Sequence, residues 1–170
     1  LMQMGRHLKG TKEKGLIPKP QPLDALNLDV FVDAAFASGW STELATNPDS
    51  VKSRTGHVIE LAGCPVLWVS KLQSTIASST MESECTALSM ALRAFILMCE
   101  IAKSVVEGLD HQKQQSVEFL ATVHEDNQGC LKLSQLDPGR MTPRSKFYAV
   151  KYHWFRSHLK PNSIEIRHIN

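Results

Sequence analysis

Three acidic residues, Asp33, Glu84 and Asp126, lie where a fold can bring their carboxylates to one point. Asp33 comes near the end of the alternating apolar run LDVFVDAAF, and Asp126 follows a second apolar run, EFLATVHE; both runs are typical of strands. Glu84 lies in SSTMESECTALSMAL, which has the Ser, Thr and Glu residues of a helix start. Carboxylates from two strand ends and a helix start suit hard divalent cations, which take oxygen ligands. Two metal ions held in such a cage serve phosphodiester hydrolysis.

Each acid also has a simpler interpretation. Asp33 taken alone is typical of a strand-end acid that caps a turn, and Glu82 competes with Glu84 for the place in the cage. Helix geometry allows only one of these two glutamates, because residues two apart on a helix point about 200° apart. The metal site is therefore indicated by the three acids in this order, and not by any one of them.

The composition predicts one globular domain. A chain of 170 residues with 42% apolar and 21% charged residues can bury a core, and is neither disordered nor fibrous. No apolar run is expected to reach the roughly 18 residues of a membrane span, so we expect no membrane partner. The cysteines are scattered without a CxxC pair, and we expect reduced core thiols in a cytosolic setting rather than disulfides or zinc ligands: Cys64, Cys85, Cys99 and Cys130.

Charge is unevenly distributed. Residues 139–170 carry seven Lys and Arg residues against Glu165 alone, while the rest of the chain is net negative. Basic residues mixed with aromatic ones indicate a surface that follows a phosphate backbone. The alternative is a solvated helix face whose aromatic residues turn toward the core. The residues that we assign to substrate binding in this stretch are Arg144, Lys146, Lys151 and His153.

Periodicity and turn residues predict the elements that must position the acids. Residues 1–24 are a helical tail and a proline-rich linker, and residues 27–170 are the domain. The strands are expected at Leu28–Asp33, Gly56–Ala62, Pro65–Ser70, Val117–Val123 and Ser163–Ile169. The helices are expected at Thr80–Val106, closed by Gly108, and at Asn127–Leu136 and Pro143–Leu159.

Four strings of this sequence resemble, in the same order, the ribonuclease H domain of copia-type LTR-retrotransposon polyproteins. They are FVDAAFA, SRTGHVIELAGCPVLWVSKLQSTIASSTMESECTALSMAL, VHEDNQGCLKL and SKFYAVKYHWFR, and the resemblance covers about residues 28–170. The upstream RHLKGTKEKGL resembles the segment that joins reverse transcriptase to that domain. The resemblance implies an α/β fold with a ribonuclease H-like mixed five-stranded sheet, three antiparallel strands followed by parallel additions, flanked by helices.

The same resemblance implies an endonuclease that hydrolyses the RNA strand of RNA–DNA hybrids during reverse transcription. It implies two Mg²⁺ ions, with Mn²⁺ as the other cation that fits. Asp33 is expected to bridge both ions. Glu84 and Asp126 are expected to complete the coordination of one of the two ions, and Glu84 aligns with the family's helix acid. Arg54, Asn127 and Gln128 are expected to contact the nucleic-acid backbone or sugars. Such contacts carry no sequence specificity.

The implied partners are the hybrid and the reverse transcriptase domain of the same polyprotein. The implied location is cytoplasmic, in a virus-like particle, with a nuclear location as the alternative. The family has a fourth acid in a helix beyond the last strand, and these 170 residues do not include it. We therefore expect weak cleavage in Mg²⁺ with partial rescue by Mn²⁺. The alternative is a catalytically weak or inactive module that binds nucleic acid or protein.

The basic segment yields a first prediction. Replacing Arg144, Lys146 and Lys151 together by Ala should weaken binding of an RNA–DNA hybrid, because binding with fewer phosphate contacts releases fewer counterions. The slope of log K against log salt should flatten by roughly one unit per lost contact, measured by titrations at several salt concentrations. An unchanged slope would show that this segment faces away from the nucleic acid.

Overall fold

The computed structural model of the protein describes residues 25–113, 118–135 and 163–169, with shorter stretches at 6, 9–14, 19–20, 153–154 and 156–159. Five strands alternate with helices along this part of the chain. The strands are β1 (Ala25–Ala35), β2 (Arg54–Leu61), β3 (Cys64–Leu72), β4 (Glu118–Glu125) and β5 (Ile164–His168). The two α-helices are α1 (Thr80–Lys113) and α2 (Gln128–Gln135). Two short 3₁₀ turns, Thr42–Leu44 and Pro48–Val51, lie between β1 and β2.

The strands form one mixed sheet in the order β3-β2-β1-β4-β5. β1 pairs antiparallel with β2, and β2 antiparallel with β3, whereas β4 runs parallel to β1 and β5 parallel to β4. The predicted fold class, three antiparallel strands followed by parallel additions, is confirmed by this topology. Because β4 lies beside the central strand β1 and runs parallel to it, the carboxyl ends of these two strands adjoin each other.

The hydrophobic core lies between one face of the sheet and α1. Alternate residues of β1 point into it, since successive side chains of a strand face opposite sides. The residues that fill this core are fully or almost fully buried: Leu28, Val30, Val32, Ile59, Leu88, Leu92, Phe95, Ala121 and Val123. The second face of the sheet carries the apolar side chains of Phe31, Val58 and Trp68 beside Asp33 and Gly56.

Several boundaries differ from the sequence prediction. The β2–β3 turn is formed by Ala62 and Gly63, both at positive φ, and Cys64 already belongs to β3. β1 extends beyond both predicted ends. The helix that was expected to close at Gly108 continues to Lys113. A single glycine weakens a helix by about 1 kcal/mol without stopping it.

Helix α1 also corrects the expectation about membrane spans. Residues 80–108 are long and apolar enough to cross a bilayer by length and composition alone. In this structure more than half of their most apolar window is buried inside the protein, as in the core helix of a globular domain. The apolar character of α1 therefore corresponds to packing on the sheet.

Several predicted features lie wholly or partly outside the described residues. The tail and linker, residues 1–24, are described only at 6, 9–14 and 19–20, and the helix at Pro143–Leu159 only at 153–154 and 156–159, where the backbone is helical. Arg144, Lys146 and Lys151 are outside the described residues. The cysteines are buried and free, and the Sγ atoms of Cys85 and Cys130 lie 3.3 Å apart.

The packing of α1 yields a prediction on stability. Phe95 is 0% exposed, whereas Leu97 on the same helix is 61% exposed. We expect Phe95→Ala to lower the free energy of unfolding by about 3–5 kcal/mol, because it removes buried contacts and leaves a cavity. Leu97→Ala is the matched control and should change it by no more than about 0.5 kcal/mol. Urea unfolding monitored by circular dichroism measures both; equal losses would contradict this packing of α1.

Candidate metal centre

The three predicted acids meet at one edge of the sheet. One carboxylate oxygen from each of Asp33, Glu84 and Asp126 lies within 4.8 Å of the other two. Asp33 and Asp126 are exposed, and Glu84 is buried. The structure thus brings together three side chains that are far apart in sequence. Their roles as metal ligands and catalytic groups stay predictions.

Asp33 is placed by the central strand. It lies opposite Gly56 of β2 in the antiparallel pairing. Gly56 has no side chain on the face that Asp33 occupies, and the atoms nearest to an added Cβ would be backbone oxygens 3.9 and 4.0 Å away. The Asp33 carboxylate is therefore open to solvent on this side.

Glu84 is placed by the start of α1, which is held by a capping arrangement. The Ser79 hydroxyl accepts the backbone N–H of Glu82, and the Glu82 carboxylate accepts the backbone N–H and the hydroxyl of Ser78. This resembles a capping box, in which an N-cap Ser and an acid three residues later satisfy free N–H groups. Glu82 is thus used in the cap, and Glu84 is left to face the cluster.

A buried glutamine ties the same helix start to the sheet. The side-chain amide of Gln73 donates to the hydroxyl of Thr55 on β2 at 3.0 Å and to the backbone carbonyl of Ser83 at 2.9 Å. All three residues are buried, so these bonds are shielded from water and hold the first turn of α1 against β2. The position of Glu84, the next residue, depends on this link.

Asp126 is placed by the turn between β4 and α2. The Asn127 side-chain oxygen accepts the backbone N–H of Cys130 at 2.9 Å, which makes Asn127 the N-cap of α2. On the other side, a ring nitrogen of His168 lies 3.1 Å from the backbone carbonyl of Asp126. The turn is therefore fixed from α2 and from β5, while the Asp126 side chain points to the cluster.

Burial and mutual repulsion change the acidity of the cluster. Burial, followed by the negative charges of Asp33 and Asp126, raises the pKa of Glu84 to about 7, while a hydrogen bond from the Ala34 backbone opposes the shift. One oxygen of Glu84, Oε2, is buried and has no hydrogen-bond partner among the described residues. A divalent cation would supply both the missing partner and the positive charge.

A further acid next to the cluster, Glu125, was missed by the sequence analysis. It is 0% exposed, and burial raises its pKa to about 8, with smaller contributions from Glu84, Asp126 and Asp33. Its Oε1 accepts the backbone N–H of Asn127 at 3.1 Å, and its Oε2 has no partner among the described residues. The signal in the sequence was its place in the inward-facing alternation of β4, where Ala121 and Val123 are apolar.

The predicted substrate-binding residues have mixed outcomes. Arg54 is exposed at the start of β2, opposite Ala35, two residues beyond Asp33 on β1. Gln128 is exposed in the first turn of α2, and His153 is exposed in the helical stretch near the C-terminus. The side-chain oxygen of Asn127 is already used as the N-cap, so only its amide nitrogen remains for a sugar hydroxyl.

A cavity of about 490 Å³ adjoins the acids on the sheet face opposite α1. Its lining includes Asp33 and Asp126 at one end and the aromatic side chains of Phe31 and Trp68. Gly56, which is paired with Asp33, adds no side chain to the lining. A molecule bound at this end of the cavity would adjoin Asp33 and Asp126.

The cluster fits a hard divalent cation. Its donors are carboxylate oxygens alone, which Mg²⁺, Mn²⁺ and Ca²⁺ prefer over softer ligands. Three acids so close together oppose one another when ionised, and Glu84 has an orphaned buried oxygen. Both features favour binding of a cation, and neither selects among these metals.

Comparison with known proteins shows homology to transposon polyproteins. No family model matches the sequence. The chain is 30% identical over 128 residues to the retrovirus-related Pol polyprotein from transposon TNT 1-94 of Nicotiana tabacum, covering 75% of this chain and 9% of the relative. It is 23% identical over 170 residues to the Pol polyprotein from transposon RE2 of Arabidopsis thaliana, covering 100% of this chain and 10% of the relative. The chain thus spans about a tenth of the length of these curated relatives.

Solved structures of similar shape are ribonucleases H1. LC11-RNase H1 isolated from compost is 16% identical with a TM-score of 0.49, and the match covers 84% of both chains. RNase H1 from the halophilic archaeon Halobacterium salinarum NRC-1 is 16% identical with a TM-score of 0.49, covering 84% of this chain and 85% of the other. LC11-RNase H1 in complex with an RNA/DNA hybrid is 17% identical with a TM-score of 0.48, covering 84% of both.

The raised pKa values yield a prediction on pH. In the folded protein Glu84 and Glu125 keep their protons to higher pH than in the unfolded chain, so the folded state binds more protons between about pH 4.5 and 8. The contribution of these two glutamates to the free energy of unfolding in EDTA should therefore fall as pH rises through this window, whereas that of His57, whose pKa is lowered by burial, rises with pH. Glu84→Gln should flatten the fall, because an amide does not titrate.

The control is Glu118→Gln at the exposed start of β4, far along the strand from the cluster. It should leave the pH dependence of unfolding as in the wild type. Urea unfolding in EDTA at pH 5, 6, 7 and 8 measures all three proteins. A pH dependence in Glu84→Gln as steep as in the wild type would show that Glu84 does not titrate over this range in the folded protein.

Proposed function

We propose, on the premise that this chain is homologous to part of the Pol polyproteins of plant transposons, that it is their ribonuclease H domain. It hydrolyses the RNA strand of RNA–DNA hybrids with the help of two Mg²⁺ ions during reverse transcription. The observation that carries the proposal is the meeting of Asp33, Glu84 and Asp126 within 4.8 Å on a ribonuclease H-like sheet. The polyprotein's reverse transcriptase supplies the hybrid, and the site of action is the cytoplasmic particle.

The chemistry follows from where negative charge develops. Attack of water on a phosphodiester places charge on the phosphoryl oxygens and on the leaving 3′ oxygen. Bound divalent cations lower the pKa of water and stabilise both charges, which is the contribution of the metals. Asp33, Glu84 and Asp126 would hold the cations, and the exposed side of the cluster would receive the phosphate.

The exposure of the acids matches this assignment. Asp33 and Asp126 face solvent, where a phosphate can approach, and Glu84 lies behind them with an oxygen that no described group satisfies. A cation at this place would keep water molecules on its solvent side, as Mg²⁺ does in proteins, and would activate water as the nucleophile there.

Backbone contacts hold the substrate. We infer that Arg54, which lies beside the end of β1, contacts a phosphate of the substrate. Gln128, which is exposed, and the amide nitrogen of Asn127 would contact a sugar hydroxyl. The 2′-hydroxyl distinguishes RNA from DNA at such a contact. The basic segment with Arg144, Lys146, Lys151 and His153 adds phosphate contacts along the hybrid.

The test is cleavage of a hybrid labelled on the RNA strand, in Mg²⁺ and in Mn²⁺. Glu84→Gln should lower the rate by about a hundredfold or more, because loss of one anionic ligand removes several kcal/mol of charge stabilisation. Asp33→Asn and Asp126→Asn should do the same. Glu118→Gln replaces a remote exposed glutamate by the same amide and should leave the rate unchanged.

Two results would contradict the proposal. If the wild type binds the hybrid but cleaves it in neither metal, the domain is the binding module that we gave as the alternative. If cleavage is equal in wild type and Asp33→Asn, the activity belongs to a contaminant or to another site. Cleavage of DNA–DNA duplexes at the same rate would remove the assignment to RNA.

A further inference from the structure

We propose that Glu125 is a positioning residue for Asp126: its carboxylate fixes the turn that presents Asp126 to the metal centre. The proposal rests on the proposed function only in that Asp126 binds a cation there. The two oxygens of Glu125 have different surroundings. Oε1 accepts the backbone N–H of Asn127, and Oε2 is buried with no described partner.

The first argument is the burial of an acid where an apolar residue is expected. Ala121 and Val123 precede Glu125 on the same face of β4 and belong to the hydrophobic core. An apolar side chain at position 125 would continue this alternation and would pack there without the free-energy cost of burying a polar group. A carboxyl at 0% exposure is instead unfavourable unless its hydrogen bonds are made, so its presence requires a specific contact. The contact with Asn127 N–H is the one that the structure shows.

The second argument is the completion of the α2 cap. In a capping box, the side chain three residues after the N-cap accepts the backbone N–H of the N-cap residue itself. Here the N-cap is Asn127 and the residue three later is Cys130, whose thiol is a weak acceptor. Glu125 provides the acceptor from two residues before the cap instead. The N–H of Asn127 is thereby satisfied from the strand side of the turn.

The third argument is the effect on the residue in between. Asp126 lies between the carboxylate of Glu125 and the N–H that it binds, so this bond closes a small loop around Asp126. The backbone N–H of Ile169 donates to the carbonyl of Glu125 at 3.2 Å, and His168 contacts the carbonyl of Asp126. The backbone at Asp126 is therefore held from two directions.

Glu125 itself stands apart from the metal cage. The group of carboxylate oxygens within 4.8 Å of one another contains Asp33, Glu84 and Asp126, and Glu125 is not in it. Asp33 and Asp126 are exposed whereas Glu125 is fully enclosed, so a cation reached from solvent meets the other acids first. Its contribution to the metal centre is thus made through the backbone of the turn.

The experiment compares Glu125→Leu with Glu125→Gln in the whole 170-residue chain. Leucine removes the acceptor, whereas glutamine keeps an oxygen at the same distance along the side chain and cannot ionise. We expect Glu125→Leu to raise the dissociation constant for Mn²⁺ about tenfold, within the range seen when a partner behind a metal ligand is lost. Glu125→Gln should stay within about threefold of the wild type. Calorimetric titration with MnCl₂ measures both.

A second measurement needs neither metal nor substrate. The amide proton of Asn127 should exchange slowly in the wild type and in Glu125→Gln, and about tenfold faster or more in Glu125→Leu, by nuclear magnetic resonance. Val123→Ala, which disturbs the same buried face of β4 two residues earlier, is the control. It should lower stability without changing exchange at Asn127 or the affinity for Mn²⁺.

The outcomes separate the possibilities. If Glu125→Gln loses as much Mn²⁺ affinity as Glu125→Leu, the carboxylate acts by its charge or as a ligand, and the proposal is wrong. Fast exchange of the Asn127 amide in the wild type would also overturn it, even if the leucine variant does not fold. Should the wild type bind Mn²⁺ as expected but cleave no hybrid, the proposed nuclease function fails while the role of Glu125 stands.

Discussion

Electrostatic repulsion among the carboxylates is the constraint around which this structure is arranged. Asp33, Glu84 and Asp126 have oxygens within 4.8 Å of one another, and like charges at such distances oppose folding. At Glu84, burial first and then the charges of Asp33 and Asp126 raise the pKa to about 7. Such a cluster persists only where the surrounding structure holds its members independently of one another. A divalent cation turns the same arrangement from an unfavourable one into a favourable one.

Each acid is held by a different element, and each attachment is local. Asp33 belongs to the central strand, which is bonded on both sides. The helix start that carries Glu84 is fixed by the Ser79–Glu82 cap and by the amide of Gln73, so the carboxylate cannot retreat from its neighbours. The packing of α1 on the sheet adds an attachment between residues that are far apart in the sequence. Since the free energy of that packing is large compared with the repulsion, the cluster can form before any cation is bound.

The sequence predicted the strands and the helix starts well because their signals are local. Alternation marked β1, and the Ser-Ser-Thr run followed by Glu82 marked the start of α1. The predicted end of α1 was wrong because the helix continues through Gly108. This glycine is exposed, and a Cβ atom added there would have no contact within 4 Å. Glu125 was missed because burial of a strand residue depends on what packs above it. The link from Gln73 to Ser83 joins distant parts of the chain and has no local pattern.

The two faces of the sheet give the candidate metal centre a buried side and an open side. Toward α1, exposure falls from the exposed carboxylates of Asp33 and Asp126 through Glu84 at 7% to Glu125 at 0%. Burial is thus greatest behind the cluster, where it raises the pKa values of Glu84 and Glu125 and makes their ionisation least favourable without a cation. On the opposite face, Gly56 and the adjoining cavity leave the front of the cluster open. A cation held by Asp33, Glu84 and Asp126 would be enclosed by protein on one side and open to solvent on the other, so the gradient of burial gives the site its direction.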